Sequence, residues 1–258
     1  MIYRWISNDQ SAIRQLFDSF DKARVLIFPA IDQNRCELWV DSLESPTVAM
    51  WRLKILCALA GDSTSPSAHE LVHKIEPRQA VFVCSEDWIT LLKRSWGSKL
   101  GIEKRTRLSP DSLDIDHLRK FMETIPDDFT LERMDLDTVK SLDKRVAMHI
   151  PLFFGDSESF YNTGVGFCIK HQGKVVSSAS SFAPFTDAFE IEVHTNNDPI
   201  YRRKGLATAA CAALMVYALE RNLTPHWDAA NEASVALALK LGYTNPEPWA
   251  AFYLNPES

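Results

Sequence analysis

The stretch EIEVHTNNDPIYRRKGLATAA, residues 190–210, decides how the second half of the chain folds. Its upstream end belongs to AFEIEVHT (188–195), where Phe189, Ile191 and Val193 alternate with Glu190, Glu192 and His194, which predicts a strand with one apolar and one polar face. Its downstream end opens an alanine-rich run from Tyr201 to about Asn222 that predicts a long helix. At the junction, Arg202, Arg203, Lys204 and Gly205 put three cations and a glycine ahead of Leu206, Ala207 and Thr208, at the first helical turn. The first N–H groups of a helix have no internal partners and the dipole is positive there, so the turn suits an anion such as pyrophosphate. Gly205 lets backbone approach such a group closely. The same residues also fit a basic helix start after a proline turn.

Further along, WDAANEASVALALKLGY (227–243) reads as a helix capped by Asn231, with Ser234 at its third position. Val235, Ala238 and Leu239 form its apolar stripe, and Gly242 follows its end. Alone, it is an ordinary capped helix. TPHWDA (224–229) precedes it as a strand, and WAAFYL (249–254) closes the chain as another. Before residue 188, GVGFCIKH and KVVSSASSF form a hairpin turning at Gln172-Gly173; a loop containing DSESFY, a helix from Leu136 to about Val146 and the strand FTLERMD come earlier.

The first half alternates elements less regularly. SNDQSAIRQLFDSF predicts a helix opened by Ser7 or Asn8, ARVLIFPAI a buried strand, CELWVDS a further strand, TVAMWRLKI a further strand or the start of a helix, and Pro66 to about Glu76 a short helix. AVFVCS is a strand, SEDWITLLKRSW a helix capped by Ser85, and LGIEKRTRL a strand. The polar stretch 109–128, with one short amphipathic helix, marks a domain boundary, giving domains 1–125 and 126–258. No internal repeat is visible.

The 258 residues are 46% hydrophobic and 24% charged, an ordinary globular composition. No apolar run approaches the roughly 20 residues needed to cross a bilayer, so no membrane partner and a cytoplasmic location are expected. A net charge of -6 argues against nucleic acid. The five cysteines are scattered without any C-x-x-C, so reduced, packed thiols are expected, Cys168 and Cys211 included.

Together, in this order and on these elements, the residues resemble the GNAT acyl-CoA N-acyltransferase superfamily. Its phosphate-binding pattern is matched by Arg202, Gly205 and Ala207, and its later helix signature by Asn231, Ser234, Leu237, Lys240, Gly242 and Tyr243. Residues 164–243 are similar, more narrowly, to zwittermicin A resistance acetyltransferases. The resemblance implies an α/β fold: a mixed, mostly antiparallel central sheet flanked by helices, here preceded by a smaller α/β domain. It implies acetyl-CoA as co-substrate, a small-molecule primary amine as acceptor and no metal. It leaves the oligomeric state open, a homodimer included. The pantetheine arm would pair with backbone at Val193, His194 and Thr195, where the fourth strand splays from the fifth. The pyrophosphate would lie on the amides from Arg203 to Thr208, with Asn231 and Ser234 beside the CoA arm.

The acceptor amine then attacks the thioester directly, and the protein positions substrates and manages protons. Glu190, then Glu192, is the expected general base, because both project from the polar strand face; His194 has a suitable intrinsic pKa but sits at the expected thioester-binding bend. Where many relatives carry a tyrosine acid, this chain has Ala238, leaving Ser234, Tyr243 or water for that task. A second reading motivated by Ala238 is a CoA-binding sensor or inactive acetyltransferase relative. Trp227 is expected to border the CoA cleft, and Phe182 and Phe185 the acceptor site.

His69-Glu70-Leu71-Val72-His73 fits the H-E-x-x-H pattern of zinc peptidases, in which two histidines one helical turn apart share a metal. The following residues KIEPRQ supply no third ligand at the extended-motif positions. A short surface helix with Leu71, Val72 and Ile75 inward is the expected role.

Overall fold

The computed structural model describes residues 1–7 and 9–256, so Asn8 as a helix cap lies outside the described residues. The chain divides into two compact units, Met1–Arg105 with Pro248–Ser258, and Thr106–Glu247. The first contains β1 (Tyr3–Arg4), α1 (Ser11–Phe17), α2 (Arg24–Asp32), β2 (Glu37–Val40), β3 (Val48–Leu53), β4 (Leu56–Gly61), α3 (Pro66–His73), β5 (Ala80–Val83) and α4 (Glu86–Trp96). Strand β6 (Leu100–Ser109) carries the chain into the second unit. There follow α5 (Ile115–Met122), β7 (Phe129–Arg133), α6 (Leu136–Ser141), α7 (Ser157–Thr163), β8 (Gly166–His171), β9 (Lys174–Ser181), β10 (Ala188–Thr195), α8 (Leu206–Leu219), β11 (Thr224–Ala229), α9 (Glu232–Leu241) and β12 (Thr244–Leu254).

In the first unit β1 to β4 pair antiparallel in sequence, β5 lies parallel to β4, and the end of β12 runs antiparallel to β5 with Phe252 opposite Val81. In the second, β7 to β10 pair antiparallel, β11 lies parallel to β10, and the end of β6 runs antiparallel to β11 with Leu108 opposite Trp227. Both units therefore follow strand, two helices, three strands, helix, strand, helix, strand. A repeat invisible in the sequence is present in the topology, and the sixth strand of each sheet comes from the other half of the chain. The expected mixed, mostly antiparallel sheet flanked by helices is the fold observed.

The units part at residues 105/106 and 247/248 instead of 125/126. The reason is packing: Leu118 of α5 is fully buried against the second core, while Phe252 of β12 is buried in the first. That first core joins Leu71 and Val72 of α3 and Trp88, Leu92 and Trp96 of α4 to Met50, Leu59 and Val81 of the sheet. Ile75 is buried too, whereas His69 and His73 are exposed and His73 Nδ1 lies 2.7 Å from the His69 carbonyl. Among the described residues no group of three metal-capable side chains occurs.

Four local expectations change. ARVLIFPAI is helix α2, with Pro29 inside it; a short continuous apolar run has no periodicity to separate helix from strand. Strand β4, LCALAG, was not expected as a separate element. Helix α6 ends at Ser141, and DSESFY forms α7, where the Asp156 side chain accepts from the Ser159 N–H at 2.7 Å. The Gln172-Gly173 turn is as expected, with φ of 50° and 76° matching a two-residue hairpin.

Phe252→Ala is expected to cost about 3 kcal/mol in urea unfolding. Amide exchange should rise at Val81–Val83 of its partner strand, with β8 and β9 unaffected.

Candidate active site

The second unit is organised by α8, of which eleven residues are buried, five of them alanines between Ala209 and Ala218. A helix apolar all round must be enclosed. Sheet residues Ala179, Phe189 and Trp227 share its core, as do Leu118 of α5 and Leu241 of α9. Its first turn follows, in the chain, the strand at which the sheet parts.

Strand β10 pairs with β11 only from Ala188 to Glu190, while its pairing with β9 continues from Ile191 to Thr195. The Glu190 carbonyl accepts from Phe182 N–H and the Asn196 N–H donates to the Val176 carbonyl, both on the β9 side. By strand alternation, the backbone groups of Ile191, Val193 and Thr195 face the gap left by β11. The splay expected from sequence is therefore present, with main-chain donors and acceptors along one edge.

The basic turn lies next in the chain. A 3-10 turn over Pro199–Tyr201 leads to Arg202, then Arg203 at φ 57° and Gly205 at φ 77°. Gly205 is the N-cap of α8 and has no side chain to satisfy the first turn, and a Cβ built there would meet nothing within 4 Å. Arg202, Arg203 and Lys204 are exposed, Leu206 and Thr208 are buried, and Ala207 is half-buried. Arg202 donates to Asn197 Oδ1. Open space, a helix start with no side-chain cap and three cations are features that suit an anion.

The polar face of the sheet carries Arg107 (β6), His226 and Asp228 (β11), Glu190, Glu192 and His194 (β10), and Ser178 and Ser180 (β9), as the strand registers dictate. Glu190 is buried and forms an ion pair with Arg107, whose side chain is 11% exposed. Glu192 is half-buried and sits opposite Ser180. Ser180 Oγ lies 3.1 Å from His149 Nε2, and His149 also hydrogen-bonds the Val146 backbone. His149 is stacked on Phe182 and edge-on to Phe160, and Phe182 in turn contacts Phe153. Burial lowers the pKa of His149 to about 4; burial, then the Arg107 charge, lowers that of His226 to about 4. Burial lowers His194 as well, opposed by Asp143.

Other expected site residues have mainly structural contacts. Asn231 caps α9, accepting from Ser234 N–H at 3.0 Å, and Ser234 Oγ accepts from Trp227 Nε1 at 3.0 Å. Trp227 is buried in the core. Of the expected apolar stripe of α9, Ala238 is buried as read but Leu239 is 47% exposed, and Leu241 is buried in addition. Tyr243 is buried, its hydroxyl donating to the Pro225 carbonyl at 2.8 Å, and burial raises its pKa well above the usual phenol value. It is therefore removed from the candidate proton donors. Cys168 and Cys211 are fully buried, and burial pushes both thiols up, Cys168 to about 12. Phe185 packs on Phe189. Sequence reasoning did not single out Arg107 or His149; Arg107 lies in a strand with several cations, and nothing local marks His149 as buried.

A sheet parted at β10 above an uncapped, basic helix start is the arrangement expected of an acyl-CoA N-acyltransferase. The family model for GNAT acetyltransferase matches residues 14–252, and the chain belongs to that family and is an acetyltransferase. It is 24% identical over 206 residues to an uncharacterized N-acetyltransferase, YdfB, of Bacillus subtilis (strain 168), covering 76% of each chain. A GCN5-related N-acetyltransferase-like protein from Streptococcus suis 89/1591 superposes with a TM-score of 0.79 at 27% identity, covering 95% of this chain and 98% of that one. A tandem GNAT protein from the clavulanic acid biosynthesis pathway shares the fold at 14% identity, with a TM-score of 0.59 over the whole of both chains. The tandem pattern of elements derived above agrees with that likeness.

Tyr243→Phe is expected to lower stability by about 1 kcal/mol, the worth of one buried hydrogen bond, and to leave the pH profile of turnover unchanged. His149 and His226 are neutral in the folded chain down to about pH 4, whereas unfolded histidines take up protons below about 6.5. The unfolded state thus binds more protons in that window, and stability should fall as pH drops from 6.5 towards 4. Urea midpoints across this range should show the decline, with a shallower slope for His149→Gln.

Proposed function

We propose that the protein transfers the acetyl group of acetyl-CoA to a primary amine of a small molecule. The observation that carries this reading is the conjunction of the β10 gap with the open, cationic first turn of α8. Backbone groups of Val193 and Thr195 would pair with the pantetheine amides, and those of Arg203 to Thr208 would hold the pyrophosphate, with Arg202 and Lys204 adding charge. His194 lies within the same bend. Asn231 and Ser234 would act by fixing the start of α9 beside the arm. The resemblance of residues 164–243 to zwittermicin A resistance acetyltransferases suits a small amine acceptor.

Glu192 is the carboxylate we assign as general base. Glu190, the first choice from sequence, is committed to Arg107; protonating it would leave a buried guanidinium unpaired, at a cost of about 3 kcal/mol or more. In the step itself the amine nitrogen, having given one proton to solvent, bonds to the thioester carbonyl carbon and passes a second to Glu192 as the tetrahedral adduct forms. The adduct collapses by breaking the C–S bond, and the CoA thiolate leaves and takes a proton from water, since Ala238 and Tyr243 supply none.

The first unit does not duplicate this chemistry. Its helix α3 stands in the chain pattern where α8 stands, but the turn before it, Gly61-Asp62-Ser63-Thr64-Ser65, has no cation, and Ser65 caps the helix itself, accepting from Ser67 N–H at 3.2 Å.

Thiol release from acetyl-CoA, followed against a panel of amines, tests the reading. Glu192→Gln should lower kcat by about 10²-fold or more. Glu190→Gln should instead destabilise the fold by about 3 kcal/mol. Unchanged turnover in Glu192→Gln would remove the assignment.

A further inference from the structure

Beyond β10 the second unit holds a pocket of about 240 Å³ whose lining includes Asp143, Arg145, Ser177, His194, Asn196 and Asn197. It is smaller than the ~300–1,000 Å³ of sites for drug-sized ligands, and suits a fragment on the scale of an amino acid. His194 follows Glu192 by two residues, so the pocket begins about 7 Å along the strand from the assigned base.

Its walls are rich in hydrogen-bond donors. The loop after α6 is fixed where the Asp143 carboxylate accepts from the Arg145 backbone N–H at 2.8 Å, and the Arg145 guanidinium is exposed, with no ion pair among the described residues. Asn196 Oδ1 accepts from the Asp198 N–H at 2.9 Å, and Asn197 Oδ1 accepts from Arg202. Both carboxamide oxygens are thereby used within the protein, which leaves the amide N–H₂ groups as donors. A guanidinium and two carboxamide donors match a carboxylate.

We infer that this pocket holds the carboxylate of the acceptor, so that the acceptor is an amino acid or a comparably small amine bearing a carboxylate. Arg145 anchors that carboxylate, Asn196 and Asn197 complete its contacts, and the amine extends along β10 towards Glu192. This inference rests on the acetyl-transfer reading above, and it makes Arg145 a determinant of specificity. Asp143 opposes the pairing of any acidic group placed on its side of the pocket, which limits the subsite to a single carboxylate.

The test uses the full chain, acetyl-CoA and thiol release, with amino acids compared against their own carboxamides and decarboxylated amines. The acids are expected to show kcat/KM about 10- to 100-fold above the carboxamides. Arg145→Ala should remove that difference by lowering the acids alone, and Arg145→Lys should restore part of it. Because Arg145 is exposed, loss of folding is not the expected effect, and an unchanged urea midpoint checks this. Carboxamides or plain amines turned over as fast as the acids would overturn the inference while leaving acetyl transfer intact, as would an equal loss for both classes in Arg145→Ala. Absence of thiol release with every amine would instead overturn the acetyl-transfer reading, and this inference with it.

Discussion

A helix with no polar face has to be covered on every side, and α8 is such a helix. The sheet closes one side and α5 and α9 the others, with Leu118, Phe189, Trp227 and Leu241 in one core. Its axis is thereby fixed, and so is the place where its first turn comes out. The turn that leads into α8 is exposed, and it carries the three consecutive cations and the left-handed glycine. The burial that holds the helix and the chemistry at its tip are consequences of one arrangement. Small side chains contribute by letting the helix backbone lie close to the strands it covers.

The sheet makes a complementary concession. Leaving Ile191 to Thr195 unpaired on the β11 side forgoes ladder hydrogen bonds, and such groups need other partners when buried. Strand β11 keeps a neighbour by pairing with β6, which also brings Arg107 against Glu190. The ion pair neutralises a carboxylate on a face where His149 and His226 are neutral as well. A face rich in titratable residues thus carries less charge than its sequence suggests.

The sequence was most legible where a local rule has a single outcome. The alternation around Glu190 and Glu192, the glycine before Leu206, the Asn231 cap and the Gln172-Gly173 turn each specify their own geometry, and each appears as read. It was least legible where long-range packing chooses. ARVLIFPAI is helical, and its buried residues Ile27 to Ile31 run consecutively, without a period that sets helix apart from strand. Arg107 is 83 residues from Glu190, and no spacing announces their pairing. Tyr243 looked available as an acid until its burial and its bond to Pro225 were visible. The HELVH match was local too, but a metal needs ligands from elsewhere, and α3 simply packs Leu71 and Val72 inward. The tandem order escaped notice because topology is kept by apolar patterning, which many different residues satisfy, while the turn before α3 shares no cation with the turn before α8.

The provenance of the sixth strands has a consequence for how the molecule is made. A chain emerging from the ribosome in order can finish β1 to α4 early, but the edge of β5 waits for Phe252, far downstream in the chain. Domains built from contiguous segments fold one after another as they appear. Here the first unit to be translated is the last to be completed, and its open strand edge must stay free of other partners for more than 150 residues of elongation.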